Sequence, residues 1–184
     1  EALIDTLVED EGMSRMVLSF ENFMAFPRWV LRRNQMYPGA ADRTAGLAAL
    51  FPGHQVEFHL ALRNIATFLP ALYDKQRDRD YADFVEGCDP MLLRWSDLVA
   101  RISEANPGVP LTVWCDEDTP LIWPEVLREM SGHDPARHLA GTDAILAAIM
   151  APEGLARLNE YLASHPPQTE MQRRRVVAAF LDKF

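Results

Sequence analysis

Short apolar runs that end in polar residues, separated by stretches of helical periodicity, constrain this chain more than any other feature. The clearest run, Gln55-Val56-Glu57-Phe58-His59-Leu60-Ala61-Leu62, follows the turn signal Pro52-Gly53, contains the β-favouring Val and Phe, and stops at Arg63-Asn64. Pro110-Leu111-Thr112-Val113-Trp114-Cys115 lies between the turn-like Asn106-Pro107-Gly108 and the acidic Asp116-Glu117-Asp118. Met16-Val17-Leu18-Ser19-Phe20, ending in Glu21-Asn22, is a third candidate strand. Between and after these runs, three groups have one-face helical spacing: Phe68, Leu69, Leu72 and Tyr73, then Leu92, Trp95, Leu98, Val99 and Ile102, and finally Trp123, Val126, Leu127 and Met130. Strands joined through helices require crossover connections. The expectation is therefore an α/β domain of three layers, a mainly parallel sheet with helices on both faces.

Beyond Gly132 the pattern turns wholly helical. Asp143 to Met150, Pro152 to Ala163 and Thr169 to Phe184 each carry a start signal, and Thr169 with Gln172 has the spacing of a capping box. The expected division is a sheet domain over residues 1–132 and a helical subdomain over 133–184 packed on it. At the other end, Ala2, Leu3, Ile4, Leu7 and Val8 already follow helical spacing, as though the text opened inside a helix, and Glu1 stands where an initiator Met would.

Charge and cysteine content narrow the classes of function. Eighteen Lys and Arg against 27 Asp and Glu give a net charge of −9, which repels polyanions and argues against nucleic acid as a partner. Any anion site must be local. Cys88 and Cys115 are too few for a disulfide framework, which suits a reducing, cytoplasmic setting, with Cys88 expected as a loop thiol and Cys115 as a strand-end packing residue. No run approaches the roughly 20 apolar residues of a membrane helix, so no membrane partner is expected. His133 and His138, near Asp134 but separated by Pro135, suit a solvated loop better than a metal site, and no metal is assigned.

In a parallel sheet ligands gather outside the carboxyl ends of the strands, where helix N-termini aim free N–H groups outward. Arg63, delivered by a strand into the start of a helix, sets a fixed positive charge beside such donors. Its guanidinium could grip two phosphate oxygens while Thr67 adds a hydroxyl, or it could pair with a neighbouring carboxylate. Asp116-Glu117-Asp118 is expected as a hydrogen-bonded loop with Thr119 capping the next helix and Pro120 at its first position. Glu21 is a candidate general base, or a loop cap. Arg28 and Arg32, a helical turn apart beside Trp29 and Arg33, could line an anion or acceptor cleft, or form a solvated helix face bridged to surface acids. Arg173, Arg174 and Arg175 spread around the last helix and are expected at its surface.

The segment Leu60-Ala61-Leu62-Arg63-Asn64-Ile65-Ala66-Thr67-Phe68-Leu69-Pro70-Ala71-Leu72-Tyr73 resembles the strand-loop-helix with which P-loop-type sulfotransferases hold the 3′-phosphate of 3′-phosphoadenosine 5′-phosphosulfate. Leu111 to Thr119, leading into a helix that ends at Ser131-Gly132, is similar to that family's strand closed by an aromatic-Glu-Asp segment. Val17 to Asn22 looks like the strand whose Ser-x-Glu ending faces the acceptor in many bacterial members. The likeness runs over roughly residues 13 to 132. It implies a P-loop sulfotransferase-like sheet, 3′-phosphoadenosine 5′-phosphosulfate as co-substrate held by Arg63, Glu21 facing an acceptor, and transfer of a sulfuryl group to a hydroxyl or amine of a small molecule or glycan. The chain departs from the pattern at Ala71, where the family commonly has a phosphate-binding Ser, and at Ile65, in place of Pro. It also contains no counterpart of the Gly-, Lys-, Ser- and Thr-rich loop that holds the 5′-phosphosulfate. These departures raise the alternative of a non-catalytic binding or assembly module that retains the fold.

Overall fold

A computed structural model describes residues 14–184 apart from 77, 86 and 135–138. The helical spacing over residues 2–8, and His138, lie outside the described residues. The fold is mixed helix and sheet. It divides into two compact units: one comprises Ser14 and Leu18–Asp116, the other Arg15–Val17 and Glu117–Phe184. The division falls at the end of the second parallel strand, so the helix expected before Gly132 groups with the C-terminal helices.

The first unit opens on an element that the periodicity did not announce. After a 3₁₀ turn at Pro27–Trp29, strands β1 (Leu31–Arg32) and β2 (Gln35–Met36) pair antiparallel, Leu31 with Met36 and Arg32 with Gln35. The two residues between them, Arg33 and Asn34, have φ of 50° and 59°, the condition a two-residue I′ turn imposes. Asn tolerates this conformation; for Arg33 it costs about 1 kcal/mol. Offsetting contacts hold the tip, since the Asn34 N–H donates to Cys88 Sγ at 3.0 Å and the Asp89 N–H donates to Asn34 Oδ1 at 2.8 Å. The inward residues Leu31 and Met36 join Val30, Leu69, Leu72, Phe84 and Leu93 in one apolar cluster.

Helix α1 (Ala40–Ala49) follows, then β3 (Phe58–Leu62), α2 (Ile65–Asp74), α3 (Tyr81–Val85), α4 (Trp95–Ala105) and β4 (Leu111–Cys115). Strands β3 and β4 are parallel, with Phe58 opposite Leu111 and Leu62 opposite Cys115. A strand's side chains alternate between faces. Phe58, Leu60 and Leu111 share the face that packs around Ala40, Leu98 and Ile102, a second core cluster. Asn106 fastens the two helices behind it: its Nδ2 donates to Thr44 Oγ1 at 2.8 Å and to the Ile102 carbonyl at 2.7 Å. The crossover between β3 and β4 is the expected one.

The expected strand over Met16 to Phe20 is a correction. Residues 14–20 form no strand, and Val17, Leu18 and Phe20 are each at least half exposed. An apolar run becomes a strand only when a neighbour takes its backbone hydrogen bonds, and no such ladder reaches this run among the described residues.

The second unit is helical: α5 (Thr119–Ser131), α6 (Ala144–Ile149), α7 (Pro152–Ser164) and α8 (Glu170–Leu181). Leu146, Met150, Leu158 and Val177 form its core. Thr169 Oγ1 accepts the Gln172 N–H at 3.2 Å, while Gln172 Oε1 accepts from Gln168 N–H rather than from Thr169 itself. At α5 the cap residue is Asp118, with no side-chain cap bond, and Thr119 is buried as the first helical residue. The expected Thr119 cap is therefore replaced by a 3₁₀ turn, Asp116–Asp118, that leads straight into the helix. Gly154 is required for close approach, because a Cβ there would lie 2.5 Å from the Cβ of Phe184.

Candidate functional site

Strand β3 ends one residue before Arg63, and α2 starts one residue after Asn64. The Asn64 side chain caps that helix, Oδ1 accepting the Ala66 N–H at 2.9 Å, while its carbonyl accepts the N–H groups of Thr67 and Phe68. Thr67 Oγ1 also donates to the Asn64 carbonyl, at 3.0 Å, which turns its lone pairs outward. Arg63 Nε donates to that oxygen at 3.2 Å. Sequence positions 63 and 67 are thus brought together. With its only proton directed to Asn64, Thr67 buttresses the guanidinium, and the Nη groups of Arg63 are the donors left facing outward.

Among the described residues no carboxylate lies within ion-pair distance of Arg63. Asp116, the residue after Cys115 in the neighbouring strand, is exposed and makes no ion pair with it. Salt-bridge formation, the competing use of this cation, is therefore not realised. Behind Arg63 the backbone is fixed from a distant point in sequence: Trp95 Nε1 donates to the Arg63 carbonyl at 2.7 Å.

Trp95 belongs to an aromatic group. Its ring lies 5.2 Å from Phe68, edge on, and 6.3 Å from Tyr37, which also packs against Phe68 at 6.3 Å. Tyr37 has φ of 48°, and burial pushes its phenol pKa up to about 12. The carbonyls of Met36 and Tyr37 are held by the Arg101 guanidinium, whose pKa is lowered by burial and raised in part by Asp97. Helix α4 therefore carries both anchors, Trp95 for the Arg63 loop and Arg101 for the segment after the hairpin.

The other expected residues lie elsewhere. Glu21 stands in a turn rather than at a strand end, and its Oε2 pairs with Lys75 Nζ at 3.1 Å. Lys75 follows the last turn of α2, a ten-residue helix about 15 Å long, so Glu21 is anchored at the end opposite Arg63 and Thr67. Arg28 and Arg32 do not share a helix: Arg28 lies in the 3₁₀ turn and Arg32 on β1, because the chain turns extended at Leu31. No hydrogen bond or ion pair joins either to Arg63 or Thr67. Arg28 instead lines an open groove of about 650 Å³ with Trp29, Arg79 and the carboxylates Asp78, Asp80 and Asp83.

The cysteines lie in a loop and at a strand end as expected, but their burial is the reverse of a free loop thiol and a packing residue. Cys88 is buried against the hairpin tip, and Cys115 is exposed at the end of β4. Among the described residues no group of three or more His, Cys, Asp or Glu side chains is placed to hold a metal ion. No described helix is long and apolar enough to cross a membrane.

Pattern reasoning missed Trp95, Tyr37 and Arg101. Trp95 was visible only as one member of an apolar helical stripe, and nothing in its spacing tells that the indole N–H reaches a carbonyl 32 positions away. In comparisons with known proteins the chain matches no family model, no curated protein and no solved structure.

Proposed function

We propose that this chain carries the 3′-phosphate-binding part of a P-loop sulfotransferase-like, three-layer α/β fold. Its co-substrate is 3′-phosphoadenosine 5′-phosphosulfate, and its acceptor is a hydroxyl or amine of a small molecule or glycan. The observation that carries this reading is the Arg63 guanidinium, free of carboxylates, buttressed by Thr67 and set at the first turn of α2 just beyond a parallel strand. Guanidinium Nη groups and a helix N-terminus together suit a phosphate dianion. In the transfer the sulfur–oxygen bond to the 5′-phosphate breaks, a bond from sulfur to the acceptor forms, and the acceptor releases its proton. Positioned N–H donors and a Lys must stabilise the charge on the leaving phosphate, so activity needs a 5′-phosphosulfate loop in addition to the residues described.

A second reading, a non-catalytic binding or assembly module, is favoured by Glu21. Its carboxylate is engaged by Lys75 at the far end of α2, and Ala71 supplies no hydroxyl to the phosphate.

Calorimetric titration with adenosine 3′,5′-bisphosphate tests the nucleotide reading. The unaltered protein is expected to bind, and Arg63→Ala to bind at least about tenfold more weakly, in line with a charge-assisted hydrogen bond. No heat at millimolar ligand would end the nucleotide reading. Sulfuryl transfer to one of a panel of hydroxyl and amine acceptors would select the enzyme over the module.

A further inference from the structure

We infer that Trp95 is a positioning residue for the anion site, acting through the backbone of Arg63; this rests on the reading of Arg63 as the phosphate ligand. Residue 63 sits between the last paired residue of β3 and the cap of α2, so its own backbone belongs to neither element. Its carbonyl is taken by the Trp95 indole at 2.7 Å. That bond crosses from the first residue of α4 to the loop, and it leaves Arg63 with its backbone fixed on one side and its Nε fixed on the other by Thr67. A guanidinium anchored at both points presents its Nη groups in one direction. Less ordering is then left to be done when an anion binds.

The indole is itself held in place. Phe68, one residue past Thr67, meets the Trp95 ring edge on, and Tyr37 packs on both rings. Tyr37 is in turn fixed by Arg101, six residues further along α4. The consequence is specific: it is the N–H of Trp95, rather than the bulk of its ring, that should matter for anion affinity.

The test compares three variants with the unaltered protein, using adenosine 3′,5′-bisphosphate as probe. Trp95→Phe keeps an aromatic ring and removes the N–H. Phe68→Leu loosens the same aromatic group and leaves the N–H in place. Arg63→Ala removes the ligand. Losing one neutral, partly solvated hydrogen bond should weaken binding about threefold to tenfold in Trp95→Phe, and Phe68→Leu should bind within about twofold of the unaltered protein. By NMR, the indole N–H resonance missing from the Trp95→Phe spectrum should shift when the bisphosphate is added to the unaltered protein and stay in place in Arg63→Ala.

Trp95→Phe binding as tightly as the unaltered protein, or Phe68→Leu weakening it equally, would overturn the positioning role while leaving Arg63 as ligand. An indole resonance indifferent to bound bisphosphate would do the same. Failure of the unaltered protein to bind would remove the anion site, and the role of Trp95 with it.

Discussion

The two units spend their arginines differently. In the helical unit four are structural: Arg173 pairs with Asp143 at 3.0 Å, Arg174 with Glu125 at 2.9 Å, Arg128 with Glu170 and Arg157 with Glu153. In the sheet-bearing unit Arg101 holds backbone carbonyls, and Arg63 is held by neutral oxygens and left without a counter-ion among the described residues. Several described cations make no ion pair in this chain of net charge −9, and Arg63 is set apart by the Thr67 hydroxyl and the Trp95 bond to its carbonyl that orient it. An arginine satisfied by carboxylates has little left to offer a ligand, whereas one oriented by a threonine and a backbone keeps its charge available. On the proposed reading, anion binding belongs to the sheet-bearing unit, while these four arginines serve packing in the second.

The strongest way to break this contrast is to damage the second unit. Leu158 is fully buried, and Leu158→Ala should cost about 2–5 kcal/mol of that unit's stability in chemical denaturation. Its affinity for adenosine 3′,5′-bisphosphate should not change; a matching loss of affinity would mean that the division of labour is wrong.

Raising the pH should act on the sheet-bearing unit through Tyr37. The Tyr37 phenol has a pKa of about 12 in the fold against 10.0 unperturbed. Its contribution is therefore complete below pH 10 and lost as the pH rises toward 12, because there the unfolded chain has released a proton that the folded chain retains. The loss is on the order of 2 kcal/mol. Denaturation curves at pH 9 and pH 11 should show it in the unaltered protein and not in Tyr37→Phe, and equal pH dependence in both would remove the effect from Tyr37.

The finest distinction sets one arginine against another. Arg173, about 14% exposed, should cost about 1–3 kcal/mol on replacement by Met, since Asp143 loses its partner. Arg63→Ala should change stability by no more than about 0.5 kcal/mol while removing anion binding. A large stability loss in Arg63→Ala would make that residue structural, like its counterparts in the second unit.

Several elements could be read directly from the sequence. The two parallel strands and the helices that contain Phe68 to Tyr73 and Trp95 to Ile102 follow from apolar spacing, and those at Pro152 and Glu170 from the start signals Pro152 and Thr169. The nearness of Arg63 and Thr67 at the helix start was legible, but Thr67, expected to offer its hydroxyl to a phosphate, donates to the Asn64 carbonyl and accepts from Arg63 instead. The run at Met16 to Phe20 misled because local composition matches a strand whether or not a neighbour exists to pair with it. The hairpin at residues 31–36 was hidden because its strands are two residues long, too short for any period, and its turn is Arg33-Asn34 rather than a glycine pair. Arg28 and Arg32 misled because helical spacing means nothing across a chain that turns extended between them.

By itself the sequence determined the alternation of strand and helix, the crossover that makes β3 and β4 parallel, and the arrival of a positive charge at a helix start. These depend on neighbours within a few positions, whose side chains meet whatever the rest of the chain does. Only the tertiary structure decided that Glu21 would be occupied by Lys75, that Arg173 and Arg174 would be neutralised by carboxylates, and that an indole from α4 would fasten the loop at Arg63. Those outcomes turn on which polar groups come within about 3 Å of each other after the apolar faces have packed, and a hydrogen bond that short carries no trace in the spacing of the residues that make it.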